Sequence, residues 1–140
     1  MTKLERMEEA GEFYKKALDA REQLYTQNGT AQAQLSWSNS LISMGDHLTK
    51  LGQMEEAGAY YQKYLETAEK HYEQKKSAAT LWTFLLAHDK LGDNKHARGL
   101  YEEAHTHRMA ALELFEQCVK LDSSKQRRDA YFRKKVNVAP

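Results

Sequence analysis

Proline occurs once in 140 residues and glycine seven times. With so few helix breakers, long uninterrupted helices are allowed and a loop-rich fold is excluded. Cysteine also occurs once, as Cys118. A lone thiol cannot pair within the chain, so no disulfide framework is expected, and a reducing, cytoplasmic setting fits. No stretch approaches the roughly 20 apolar residues of a membrane span. The opening MTKLERMEEA has no apolar run and does not read as a secretory signal. A glycine-rich phosphate loop is missing. No segment alternates apolar and polar residues with period two, so no sheet is expected.

What is present is repetition. Met7–Tyr25 reads MEEAGEFYKKALDAREQLY, and Met54–Tyr72 reads MEEAGAYYQKYLETAEKHY, 47 residues later. A weaker third copy is read from Ala97 (ARGLYEEA), 40 residues after Ala57. Periods of this size mark stacked helical repeats, in which each unit buries its apolar face on its neighbours. Charge is unevenly spread. From Lys120 onward seven basic residues stand against Asp122 and Asp129, a surplus of +5, which leaves −4 on the body.

Apolar residues three or four apart predict the helices. The first covers 4–26, with Leu4, Met7, Ala10, Tyr14, Ala17, Leu18 and Leu24 on one face, and Asn28-Gly29 stops it. Thr30 caps a second helix reaching about Leu51, with Leu35, Leu41, Met44 and Leu48. Gly52 ends it, and a third follows over 54–74. A fourth is expected over 78–91, turned by Gly92-Asp93 in the manner of Gly52, and a long fifth from Asn94 to Leu121. A last helix is read over 124–135, with Tyr131 and Phe132. The expected class is all-α, with antiparallel helix hairpins stacked as a short solenoid. The array spans 1–122, divided into a partial repeat (1–29), a repeat (30–76) and a degenerate repeat (77–122). A basic helix and tail occupy 123–140.

Aligned on Leu51-Gly52 and Leu91-Gly92, the two full pairs share a pattern. The first gives Leu41, Met44, Gly45, Leu48, Gly52, Ala57, Tyr61 and Tyr64. The second gives Leu81, Phe84, Leu85, His88, Gly92, Ala97, Tyr101 and Ala104. This resembles the tetratricopeptide repeat, with Ala57 and Ala97 expected where two helices touch. The closing proline of that signature is missing, and periods of 47 and 40 exceed its usual 34. The stretch LSWSNSLISMGDHLTKLGQMEEAGAYYQKYLE looks most like the extended subclass that includes kinesin light chains and bacterial scaffold arrays.

The resemblance implies a protein-interaction scaffold that holds a peptide or helix in a concave groove and performs no bond chemistry. Carried over position by position, the groove residues are Asn39, Ile42, Ser43, Asp46, Thr49 and Lys50 from one repeat. The next repeat supplies Trp82, Thr83, Leu86, Asp89 and Lys90. Trp82 stands out because aromatic anchors dominate interfaces, although it also suits packing between repeats. Co-chaperone members clamp a terminal carboxylate with Lys, Asn and Arg, but Ile42, Asp46 and Trp82 occupy those places here, so that mode is excluded.

Other chemistry is weaker. His105 and His107 point to different faces of a helix, and no histidine pair has the i, i+4 spacing of a helical zinc site, so no metal or cofactor is implied. Glu8-Glu9, Glu55-Glu56 and Glu102-Glu103 read as helix surface, the first two pairs near helix starts. Cys118 reads as a small core residue. The basic tail offers a nucleic-acid or acidic-partner alternative, but a solvated face suits it better. The first helix lacks a preceding partner and the last lacks a following one. The chain is therefore expected to be part of a longer array, or to have its ends covered, as in a homodimer.

Overall fold

In a computed structural model the chain is described at residues 2–121 and 134–135. Among the described residues these helices follow one another: α1 (Lys3–Asn28), α2 (Ala31–Lys50), α3 (Met54–Gln74), α4 (Ala78–Ala97) and α5 (Tyr101–Leu121). Among the described residues there is no strand. Each helix packs chiefly on its chain neighbours, antiparallel, in the order α1–α2–α3–α4–α5, as short links require. Local sequence sets the starts. Thr2, Thr30 and Ser77 each accept a bond on the side-chain oxygen from the backbone N–H three residues on. Such caps stabilise a helix by about 1 kcal/mol.

The ends of α2 and α4 close by the same device. Gln53 N–H donates to the Leu48 carbonyl across Gly52, and Leu100 N–H donates to the Lys95 carbonyl across Gly99. Both glycines sit at φ 77°, in the left-handed region that side chains with a Cβ avoid. The two turns are 47 residues apart. The period is therefore 47 in both copies, and the expectation of a turn at Gly92-Asp93 is corrected. α4 runs through Gly92 to Ala97, and α5 starts at Tyr101 rather than Asn94.

Gly92 is small for another reason. A Cβ there would lie 3.0 Å from Cγ of Arg108 on α5. Gly45, its counterpart, would place a Cβ 2.5 Å from the Tyr61 ring. Both glycines let two helices approach closely, which sequence alone does not distinguish from a turn. The small residue at the second crossing is then Ala104, buried to 1% like Ala57 at 0%. Ala97 is exposed at the end of α4, contrary to expectation. The third copy begins YEEAHTHR at Tyr101.

Among the described residues the core falls into two clusters. One joins Leu18 of α1 to Trp37, Leu41, Met44 and Leu48 of α2, Tyr61, Tyr64 and Leu65 of α3, and Leu91 of α4. The other joins Leu81 and Leu85 to Ala111, Leu114, Phe115 and Cys118. Phe84 packs on both. Of the first helix's stripe only Leu18 is fully buried, while Leu4 and Leu24 are 60% and 55% exposed, because α2 covers one side of α1 alone. Leu35, Tyr101 and Leu112 are likewise exposed members of their stripes. The expected helix over 124–135 lies outside the described residues, apart from Lys134 and Lys135.

The corrected register has a direct test. Ala104→Leu should overpack the α4–α5 crossing and cost about 1–3 kcal/mol. Ala97→Leu, on an exposed helix end, should stay within about 0.5 kcal/mol. Urea unfolding of the two variants measures the difference, and the opposite order would restore the 40-residue register.

Candidate functional site

α2 and α4 flank a trough whose floor is α3. Its two ends differ in chemistry. Toward the C-terminal ends of α2 and α4, Lys90 Nζ lies 3.0 Å from Asp46 Oδ1, bridging the walls. The Tyr61 hydroxyl donates to the same Asp46 oxygen from the floor, and Lys90 stands 5.9 Å from the Tyr61 ring centre. Burial raises the pKa of Tyr61, and the Asp46 bond adds to it, so the phenol stays a donor. Thr49 Oγ1 donates to the Gly45 carbonyl at 2.8 Å and sits 3.3 Å from the Tyr61 hydroxyl. One repeat later, Arg108 and Asp93 occupy the places of Tyr61 and Asp46, and their ion pair at 3.4 Å replaces the hydrogen bond.

Toward the N-terminal ends the trough opens into a pocket of about 450 Å³. Gln34, Leu35, Ser38 and Asn39 line it from α2, Tyr64, His71 and Gln74 from α3, and Thr80, Thr83 and Leu86 from α4. Ser38 is only 3% exposed, and its Oγ has no hydrogen-bond partner among the described residues. Burial holds the Tyr64 hydroxyl protonated, its pKa pushed up to about 12. His71, 3.4 Å from the Tyr25 hydroxyl, has its pKa lowered by burial and then by Lys70. Among the described residues the pocket's lining contains no carboxylate, and Lys75 is its one basic side chain besides His71.

The residues expected in the groove separate into several settings. Asn39, Thr83 and Leu86 line the pocket. Asp46, Thr49 and Lys90 form the polar bridge. Asp89 pairs with Lys135 at 2.6 Å. Ile42 is half-buried on the first core cluster and Trp82 on the second. Ser43 and Lys50 are exposed on α2. In the 47-residue register the partners of Asn39, Ile42, Ser43 and Asp46 are Leu86, Asp89, Lys90 and Asp93. Sequence reasoning missed Gln34, Leu35, Ser38, Tyr64 and His71. The signal was there in that register: Gln34 and Ser38 stand where α4 carries Leu81 and Leu85.

His88 of α4 and His107 of α5 meet with their Nδ1 atoms 3.0 Å apart, a contact that spacing along one helix could not reveal. His88 takes the place of Leu41 one repeat earlier. Among the described residues no group of three or more histidine, cysteine or acidic side chains is arranged to hold a metal ion. The three glutamate pairs are exposed. Glu102-Glu103 lies in the first turn of α5, whereas Glu8-Glu9 lies beyond the first turn of α1. Tyr131, Phe132 and most of the basic segment lie outside the described residues. None of the described helices is long and apolar enough to cross a membrane.

The histidine pair predicts a pH dependence. Burial, and then His107, push the His88 pKa down to about 4 from 6.5. His107 is lowered by burial and Lys95, against an opposing Glu103. Between those two pH values the unfolded chain holds a proton on His88 that the folded chain excludes. Stability therefore rises with pH across the window and is lost as pH falls through it. His88→Leu, which restores the residue of the preceding repeat, should flatten this dependence in urea titrations at pH 4.5, 5.5 and 7. An unchanged slope would remove His88 as its source.

Residues 2–24 and 38–71 match the family model of the tetratricopeptide repeat. The second match takes in most of α2, the Gly52 turn and most of α3, and the first takes in most of α1. No curated protein and no solved structure matches the chain. With the antiparallel hairpins and their small-residue crossings, residues 2–24 and 38–71 are similar to the tetratricopeptide repeat family.

Proposed function

We propose that this chain is a protein-interaction scaffold that receives a peptide or helix of a partner in the trough between α2 and α4. The tetratricopeptide repeat implies a protein-binding module in general. The observation that carries the placement is the open pocket of about 450 Å³ shared by three helices, a size in the range of ligand-binding clefts. Its lining of amides, hydroxyls and apolar groups, with His71 and Lys75, suits recognition of a peptide. The uniform 47-residue period supports the extended subclass, and the lone buried Cys118 is in keeping with a reducing compartment.

Peptide display on the intact chain tests the reading. Enriched peptides should lose at least tenfold in affinity on Thr83→Arg, which crowds the trough, with helix content unchanged. Lys16→Glu, on the exposed face of α1, should leave them bound. Peptides indifferent to Thr83→Arg would place binding elsewhere.

A second reading is self-association through α1. Its support is the exposure of Leu4, Phe13 and Leu24 on one helix, with Phe13 71% exposed. Singly exposed apolar residues are ordinary. Phe13 and Leu24 share one side of the helix and Leu4 lies on the opposite one, so in this reading the contact surface is the side of Phe13 and Leu24. In this reading, sedimentation at tens of micromolar gives a dimer that Phe13→Glu dissociates. A monomer in the unsubstituted chain would end it.

A further inference from the structure

The pocket at the open end of the trough lies where the internal symmetry of the chain breaks. In the second repeat, Leu81 and Leu85 are fully buried and fill the space between α4 and α5. The fold therefore accepts leucine at both places. In the first repeat the same places hold Gln34 and Ser38, and the volume beside them stays open. Filling it with leucine would have buried more apolar surface, so the substitution is unfavourable for stability alone.

Ser38 adds a second, independent observation. Its side chain borders the pocket, and its hydroxyl is shut from solvent with no hydrogen-bond partner among the described residues, so it meets an occupant by rotating about χ1 toward the opening. A buried hydroxyl left unpaired is unfavourable, and an amide entering the site would satisfy it as an ordered water would. Among the described residues the pocket's walls carry one charged side chain, Lys75, and no carboxylate. Leu35 and Leu86 face the opening from opposite helices, and Asn39 and Thr83 add an amide and a hydroxyl. Burial favours the neutral form of His71. A charged side chain seated here would be desolvated with no opposite charge in the walls except Lys75 at one edge. The charges of the trough are held at its other end, where Asp46 and Lys90 pair with each other.

Building on the trough as the binding face, we propose that this end is a subsite for an uncharged, extended segment of the partner. One aliphatic side chain sits between Leu35, Tyr64 and Leu86, and an adjoining backbone amide bonds to the Ser38 hydroxyl. The neutral amides at the rim, Gln34 and Gln74, lie 3.4 Å apart and have further donors and acceptors for peptide backbone.

The test uses N-acetyl-L-leucine methylamide, which carries one aliphatic side chain and two backbone amides, with the aspartate analogue as its charged counterpart. Titrated into the full chain and followed by backbone-amide NMR, the leucine compound should give saturable shifts at Ser38, Tyr64 and Thr83. The aspartate compound should bind at least tenfold more weakly. Ser38→Leu, copying the residue of the second repeat, should abolish the shifts with the fold retained. Gln34→Leu fills the same space from the rim and serves if Ser38→Leu does not fold. Ser38→Ala, which keeps the space and removes the hydroxyl, should weaken binding several-fold. Shifts scattered over the surface, equal binding of the aspartate compound, or a pocket that holds water only would overturn the subsite. None of those results touches the Thr83→Arg outcome with displayed peptides, so a failed subsite and a failed trough remain distinguishable.

Discussion

Close approach between helices at glycine and alanine governs the array. At Gly45 the Tyr61 ring occupies the space that a Cβ would need, and Ala57 is fully buried beside it. At Gly92 and Ala104 the same arrangement returns 47 residues later, with Arg108 in the place of the ring. Larger side chains at these points would push the axes apart and shift every contact along the pair. The close contacts continue between repeats. A Cβ on Gly11 would lie 2.8 Å from the His47 ring, and one on Gly58 would lie 2.7 Å from the Asn94 amide. These are again one pair and its counterpart, so hairpin packing and repeat stacking keep a single register.

Against that common frame, the differences between copies become informative. Leu41 of α2 is His88 in α4, where it meets His107 and burial lowers the pKa of both rings. Tyr61 becomes Arg108, so a phenol's hydrogen bond to an aspartate becomes an exposed ion pair. Leu81 and Leu85 of α4 are Gln34 and Ser38 in α2, and a filled interior becomes an open pocket. Each change removes apolar packing that the other copy shows the fold can hold.

Much of the fold was legible in the sequence, for reasons local to each segment. Asn28-Gly29 and Gly52 ended helices as expected, because nothing in their surroundings opposed the turn. Gly92 misled because two physical demands, a left-handed turn and a close helix approach, select the same residue. Taking it for a turn shortened the second repeat from 47 to 40, moved the expected crossing from Ala104 to Ala97, and paired groove positions with the wrong counterparts. The trough residues on α2 were partly readable from the resemblance. Those on α3, Tyr64 and His71, were not, since a floor belongs to the packing of three helices rather than to one face. The His88–His107 contact was hidden for the same reason: its members are on separate helices.

The polarity of the trough follows from how its charges are arranged. Asp46 and Lys90 are each about 40% exposed, and an ion pair of that exposure contributes roughly 0–1 kcal/mol. The Tyr61 hydroxyl bond to Asp46 is charge-assisted and less exposed, and such bonds contribute about 1.5–3 kcal/mol. Tyr61 therefore fixes Asp46 more firmly than Lys90 does. Lys90 also rests near the Tyr61 ring rather than depending on Asp46 alone. A ligand that draws the ammonium away loses little protein stability, whereas one that displaces Asp46 must break the stronger bond. The bridged end thus offers a movable cation beside a fixed anion, and the open end offers largely uncharged walls around a buried hydroxyl. A segment lying along the whole trough would meet these two environments in sequence, which gives the groove a direction as well as a location.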